Sequence, residues 1–127
     1  RLDMKAHDRQ VQIIRLLMGV STPESCDSIC LNLYDPETGF VPRRSVQRDL
    51  HQLVNAGLLA RHGNTRSTRY NLSDGTHQEL IDISIEYYRE RTEFVKYKSY
   101  GIAPRFRFPN MDEAFSWMIR RSLLQVK

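Results

Sequence analysis

Between Arg43 and Leu59 the chain carries an apolar spacing that fits a helix and little else. Val46, Leu50 and Leu53 fall at i, i+4 and i+7 and so share one helical face. Arg43, Arg44, Gln47 and Arg48 lie mostly off that face, and Gly57 supplies a stop before Leu58-Leu59. Arginine and glutamine can form bidentate hydrogen bonds with guanine and adenine edges in a major groove. A helix that presents them from its first turns, with apolar residues behind, has the chemistry needed to enter such a groove.

The charge distribution reinforces this reading. The chain has 127 residues, 40% hydrophobic and 27% charged, with a net charge of +4. That length suits one domain, or one domain with an appendage, and needs neither disulfide nor metal to fold. From Arg43 to Leu72 six arginines (43, 44, 48, 61, 66 and 69) face one acid, Asp49, a surplus of five. A local surplus larger than that of the whole chain points to an anionic partner. Asp49 itself would be repelled by phosphates and is expected to serve as a structural partner for a basic residue.

The flanking segments predict a mainly α fold with a small β-hairpin. A first helix spans about Asp8 to Met18, with Val11, Ile14, Leu17 and Met18 inward and Gly19 as its end. Ser21-Thr22-Pro23-Glu24 reads as the start of a second helix that runs to about Leu33. Asp35-Pro36-Glu37-Thr38-Gly39 is a turn, and the third helix covers Pro42 or Arg43 to Asn55. Leu58 to Arg61 and Thr68 to Leu72 read as two strands around a polar tip, His62 to Ser67. Three helices and a hairpin make a winged helix-turn-helix over residues 1–73, with C-terminal helices in 74–127.

In that second part a helix is expected from His77 to Lys96. Leu80, Ile83, Tyr87 and Phe94 share one stripe, with Ile81, Ile85, Tyr88 and Val95 in a second stripe beside it. So wide an apolar face suggests dimerisation, and Leu80, Ile83, Tyr87, Tyr88 and Phe94 are the expected interface of a homodimer. Pro104 and Pro109 flank Arg105-Phe106-Arg107-Phe108, expected to be an extended segment with both phenylalanines in the core. A last helix runs from about Met111 to Gln125, with Met111, Phe115, Met118 and Leu123 buried.

Cys26 and Cys30, four residues apart in a helix, are poorly placed for a disulfide and are expected to be structural thiols. No metal-ligand spacing, no glycine-rich phosphate loop and no nucleophile–base pairing is present, so no metal, cofactor or enzymatic activity is expected. No stretch is apolar enough for a membrane span and no signal-peptide pattern occurs. A cytoplasmic location, associated with the nucleoid through DNA, is therefore expected. The first residue is Arg1 rather than Met, which suggests a processed product or a fragment.

The run Val41-Pro42-Arg43-Arg44-Ser45-Val46-Gln47-Arg48-Asp49-Leu50, continuing to Gly57-Leu58-Leu59, resembles the recognition-helix signature of DeoR-type regulators and of the winged helix that precedes WYL domains. Val46, Gln47, Arg48, Asp49 and Leu50 match that signature directly; Ser45 stands where threonine is usual and Pro42 where a capping serine is usual. The resemblance covers residues 8–72 and implies sequence-specific binding of double-stranded DNA. Arg43, Arg44 and Gln47 are then candidates for base edges or adjacent phosphates. Ser45 is either a phosphate contact or a local cap, and Arg48 either touches phosphate or pairs with an acid. In the hairpin, Arg66 and Arg69 are phosphate or minor-groove candidates, and Asn64, Thr65, Ser67 and Thr68 are donors to phosphate oxygens. Tyr70 is expected to pack in the core. Nothing after Leu72 is long enough for the sensor domains of those families. The rival readings are a protein-interaction module and a DNA-binding accessory protein of a plasmid or phage.

Overall fold

The structure, a computed structural model, describes residues 5–97, 101 and 106–125. Pro104 and Arg105 lie outside the described residues. The order of elements is α1 (Ala6–Met18), α2 (Cys26–Leu31), α3 (Arg43–Asn55), β1 (Leu59–His62), β2 (Arg69–Leu72), α4 (Asp74–Tyr97) and α5 (Met111–Leu124). The fold is mainly helical with one two-stranded antiparallel hairpin, as the sequence predicts.

The third helix begins and ends as expected. Pro42 precedes its first turn with an extended backbone, which proline's fixed φ favours. At its end the Gly57 N–H donates to the Val54 carbonyl and the Leu58 N–H to the Leu53 carbonyl, each at 3.0 Å. This double closure needs a left-handed residue, and Gly57 sits at φ +82°. The chain leaves that turn directly into β1, whose Leu59 pairs with Leu72 on β2; Arg61 pairs with Tyr70 and His62 with Arg69. Leu59 and Leu72 turn into the core, and Tyr70 packs half-buried against it.

The second helix is shorter than expected. Ser25, not Ser21 or Thr22, caps it by accepting from the Ser28 N–H at 3.1 Å. Glu24 instead exchanges two 2.8 Å backbone hydrogen bonds with Tyr70, so this segment is held extended against the hairpin. A pairing across 46 residues overrides the local start signal. Cys26 is buried and Cys30 half-buried, and both thiols are free. Burial pushes both upward, Cys30 to about 11.

The last two helices join the same core. Ile13 and Ile14 of α1, Ile29 of α2, Val46, Leu50 and Leu53 of α3, Leu80 and Ile83 of α4, and Phe115, Met118 and Ile119 of α5 form one buried cluster. His7 Nε2 lies 2.7 Å from Ser116 Oγ and Arg15 pairs with Asp112 at 2.5 Å, both between α1 and α5. The expected boundary at residue 73 therefore does not divide two cores.

Ser73, read as part of a separating segment, is the first turn's acceptor: its Oγ lies 3.4 Å from the Thr76 N–H and its carbonyl accepts from His77. Hence α4 starts three residues before the expected His77.

The stripe expected at a dimer interface is largely internal. Leu80 is fully buried and Ile83 nearly so. Phe94 meets Phe106 edge-on at 6.0 Å, and the Arg91 guanidinium lies 3.4 Å from the Tyr87 ring centroid and 4.1 Å from that of Phe106. Arg91 also donates to the Phe108 and Pro109 carbonyls at 2.7 and 3.0 Å. Of the five residues expected to dimerise, only Tyr88 is exposed, at 62%. The cause is the segment before α5, which folds back over α4: Phe108 is buried as expected, while Phe106 is half-buried. Arg121 fixes α5 to α4 by a two-point contact with Glu79 at 2.6 and 2.7 Å, and that hydrogen bonding holds the Glu79 carboxyl below its ordinary value.

Candidate nucleic-acid interface

Helix α3 divides cleanly into two faces. Val46, Asp49, Leu50 and Leu53 are buried, whereas Arg44, Gln47, Arg48, His51 and Asn55 are exposed. The exposed set falls at i, i+3, i+4, i+7 and i+11, so it forms one continuous polar stripe along the helix. Arg44, Gln47 and Arg48 are three of the expected site residues. His51 and Asn55, joined by a 3.2 Å contact, extend the stripe toward the C-terminal end. Both were missed, although their spacing from Arg44 and Arg48 was sufficient to place them.

Arg43 departs from the expectation. It flanks the buried face and its Nε donates to Asp27 Oδ1 of α2 at 2.6 Å. Both side chains are mostly exposed, so the pair is a surface tie between α2 and α3 and can exchange for another anion. Ser45 is half-buried and opens on a cavity of about 450 Å³ beside Lys5, Phe40 and Arg48. Lys5 is thus a further cation at the start of α3 that only the tertiary fold brings there.

The orientation of α3 is set from α1. Asp49 is 2% exposed, and Arg9, also buried, donates to it at 2.6 Å through Nε. Gln10 donates to Gln52 at 2.7 Å and lies 3.5 Å from Asp49. Asp49 is therefore a structural partner for a basic residue, as expected, and that residue is Arg9 rather than the adjacent Arg48. With Asp49 buried and paired, the surface from residue 43 to 72 presents arginines and no acid. Among the described residues, no carboxylate pairs with Arg44, Arg48, Arg61, Arg66 or Arg69.

The hairpin supplies a second cationic edge. A single 3₁₀ turn, Thr65–Ser67, sits at its tip, and Arg61 to Ser67 are all exposed. Arg69 and His62 are cross-strand partners on the face opposite Leu59 and Leu72. His62 Nε2 lies 2.9 Å from Asn71 Oδ1 on that outer face. Ser67 Oγ donates to the Asn64 carbonyl at 3.1 Å, which uses one of the expected phosphate donors internally. Thr68 is half-buried and Asn64 exposed. The tip is conformationally tight: Thr65 has φ +54° and Gly63 φ +81°. A Cβ at Gly63 would lie 2.8 Å from the Ser67 carbonyl oxygen.

Among the described residues no group of three or more His, Cys, Asp and Glu is placed to hold a metal ion. No described helix is long and apolar enough to cross a membrane. Comparisons of the chain with protein-family models, with curated proteins and with solved structures find no match.

Proposed function

We propose that this chain is a sequence-specific double-stranded DNA-binding regulator of the winged helix-turn-helix kind. In this reading α3 enters the major groove, and Arg44 and Gln47 read base edges. Arg48 and Ser45 contact the adjacent phosphates, and the hairpin grips the flanking backbone through Arg66 and Arg69. The observation that carries it is the exposed stripe Arg44–Gln47–Arg48–His51–Asn55, backed by a buried apolar face and continued by a hairpin whose own residues, 59–72, include no acid. The protein acts as a homodimer on an inverted repeat and represses by occluding a promoter.

Titration of a labelled duplex across salt concentrations tests the binding mode. The logarithm of affinity should fall with that of salt by about 0.9 per phosphate contacted. Arg66→Ala should flatten that slope by about one contact on every duplex. Arg44→Ala should instead lower affinity only for duplexes with the preferred base, by about 1–3 kcal/mol. Equal effects of the two substitutions on all duplexes would contradict the division of labour.

One surface favours a second reading. Leu31, Tyr34 and Phe40 are exposed at 87%, 60% and 67% around the α2–α3 connection. A protein-interaction module would use that patch, and Arg44→Ala would leave its partner binding intact.

A further inference from the structure

Once the inward stripe of α4 is filled, a second stripe remains on its outer side. Ile81, Ile85, Tyr88, Thr92 and Val95 alternate at steps of four and three residues, the a/d spacing of a two-helix seam. Ile85, Tyr88 and Val95 are 58%, 62% and 62% exposed, and Thr92 is exposed while Ile81 is half-buried. The helix has 24 residues and is about 36 Å long, enough for three such layers on each side of a two-fold axis.

The charges beside this seam select the partner and its direction. Asp82 and Arg89 hold equivalent flanking positions seven residues apart, and both are exposed. Among the described residues, Asp82 accepts a local 3.1 Å bond from Gln78. When two copies of α4 pair antiparallel about a point between Ile85 and Tyr88, Ile85 of each faces Tyr88 of the other. Ile81 then faces Thr92, and Gln78 faces Val95. In that register the flanking positions bring Asp82 of each copy against Arg89 of the other, giving two opposite-charge pairs by symmetry. A parallel pairing would set Arg89 against Ser84 and leave it without an opposite charge.

We infer that α4 is the homodimer seam, formed by Ile81, Ile85, Tyr88, Thr92 and Val95 against a second copy of this chain in antiparallel register and locked by reciprocal Asp82–Arg89 pairs. The inference rests on the homodimer part of the proposed function and is independent of its DNA part.

Sedimentation equilibrium of the full chain without DNA tests it, on wild type, Asp82→Arg, Arg89→Asp, the double reversal and Tyr88→Glu. All substituted side chains are exposed, so circular dichroism should show each chain folded. Wild type should be a dimer at tens of micromolar. Each single reversal turns two attractive pairs into two repulsive ones and should raise the dissociation constant about tenfold or more. The double reversal should return it to within about threefold of wild type, and Tyr88→Glu should give a monomer. A wild type that stays monomeric at about 100 µM, or a double reversal no tighter than either single one, would overturn the seam. Half-site duplex binding by the Tyr88→Glu chain separates the two failures: a monomer that still binds preserves the DNA reading, and a dimer that binds no duplex defeats that reading alone.

Discussion

Asp49 holds the fold and the candidate site together at the scale of single residues. It sits on the face of α3 opposite the polar stripe, and its burial with Arg9 fixes how that stripe is presented. Removing one member of a buried pair costs the other its nearest opposite charge. Asp49→Ala should therefore lower unfolding free energy by about 1–3 kcal/mol, measured by urea denaturation. A loss below about 1 kcal/mol would mean that water replaces the carboxylate. The sequence pointed to a cation for Asp49, because it is the one acid within a run of arginines. It did not show which cation: Arg48 is adjacent but points outward, and Arg9 lies 40 residues away. Arg43 illustrates the converse. Its place in the basic run suggested an open contact, and only the packing of α2 on α3 reveals its tie to Asp27.

Elements with strong local signals were legible, and those fixed by distant pairing were not. The bounds of α3 follow from its apolar spacing, Pro42 and Gly57, all local. The hairpin follows from its polar tip, with strand ends shifted by one residue. The start of α2 was misplaced because the backbone bridge between Glu24 and Tyr70 holds residue 24 extended. The tip of the hairpin offers a direct test of its geometry. Gly63→Ala places a Cβ 2.8 Å from a carbonyl at a left-handed φ, and should cost about 1–3 kcal/mol. Hydrogen exchange should show the loss first at the amides of β1 and β2. Unchanged protection there would mean that the tip has another conformation.

At the scale of the whole molecule, α5 closes onto α1 and makes the C-terminal helices part of the core that supports α3. The sequence suggested an appendage because α5 is amphipathic in its own right and nothing local points to α1. His7 reports on this closure. Burial first, and Arg120 second, lower its pKa below the ordinary 6.5. The unfolded chain then takes up this proton at higher pH than the folded one. Stability should be level above about pH 6.5, decline as pH falls toward the lowered folded pKa, and level off below it. Thermal melts across pH 4.5–7.5 should show this step in wild type and lose it in His7→Gln. The same closure leaves the polar stripe of α3 and the hairpin edge open together, the arrangement on which DNA reading would rest. Selection of bound duplexes from a random pool at about 150 mM salt tests it most directly, with wild type beside Arg44→Ala/Gln47→Ala. Wild type should enrich an inverted repeat, and the double variant should lose it. Enrichment of no motif by wild type, or the same motif from both chains, would contradict reading by α3.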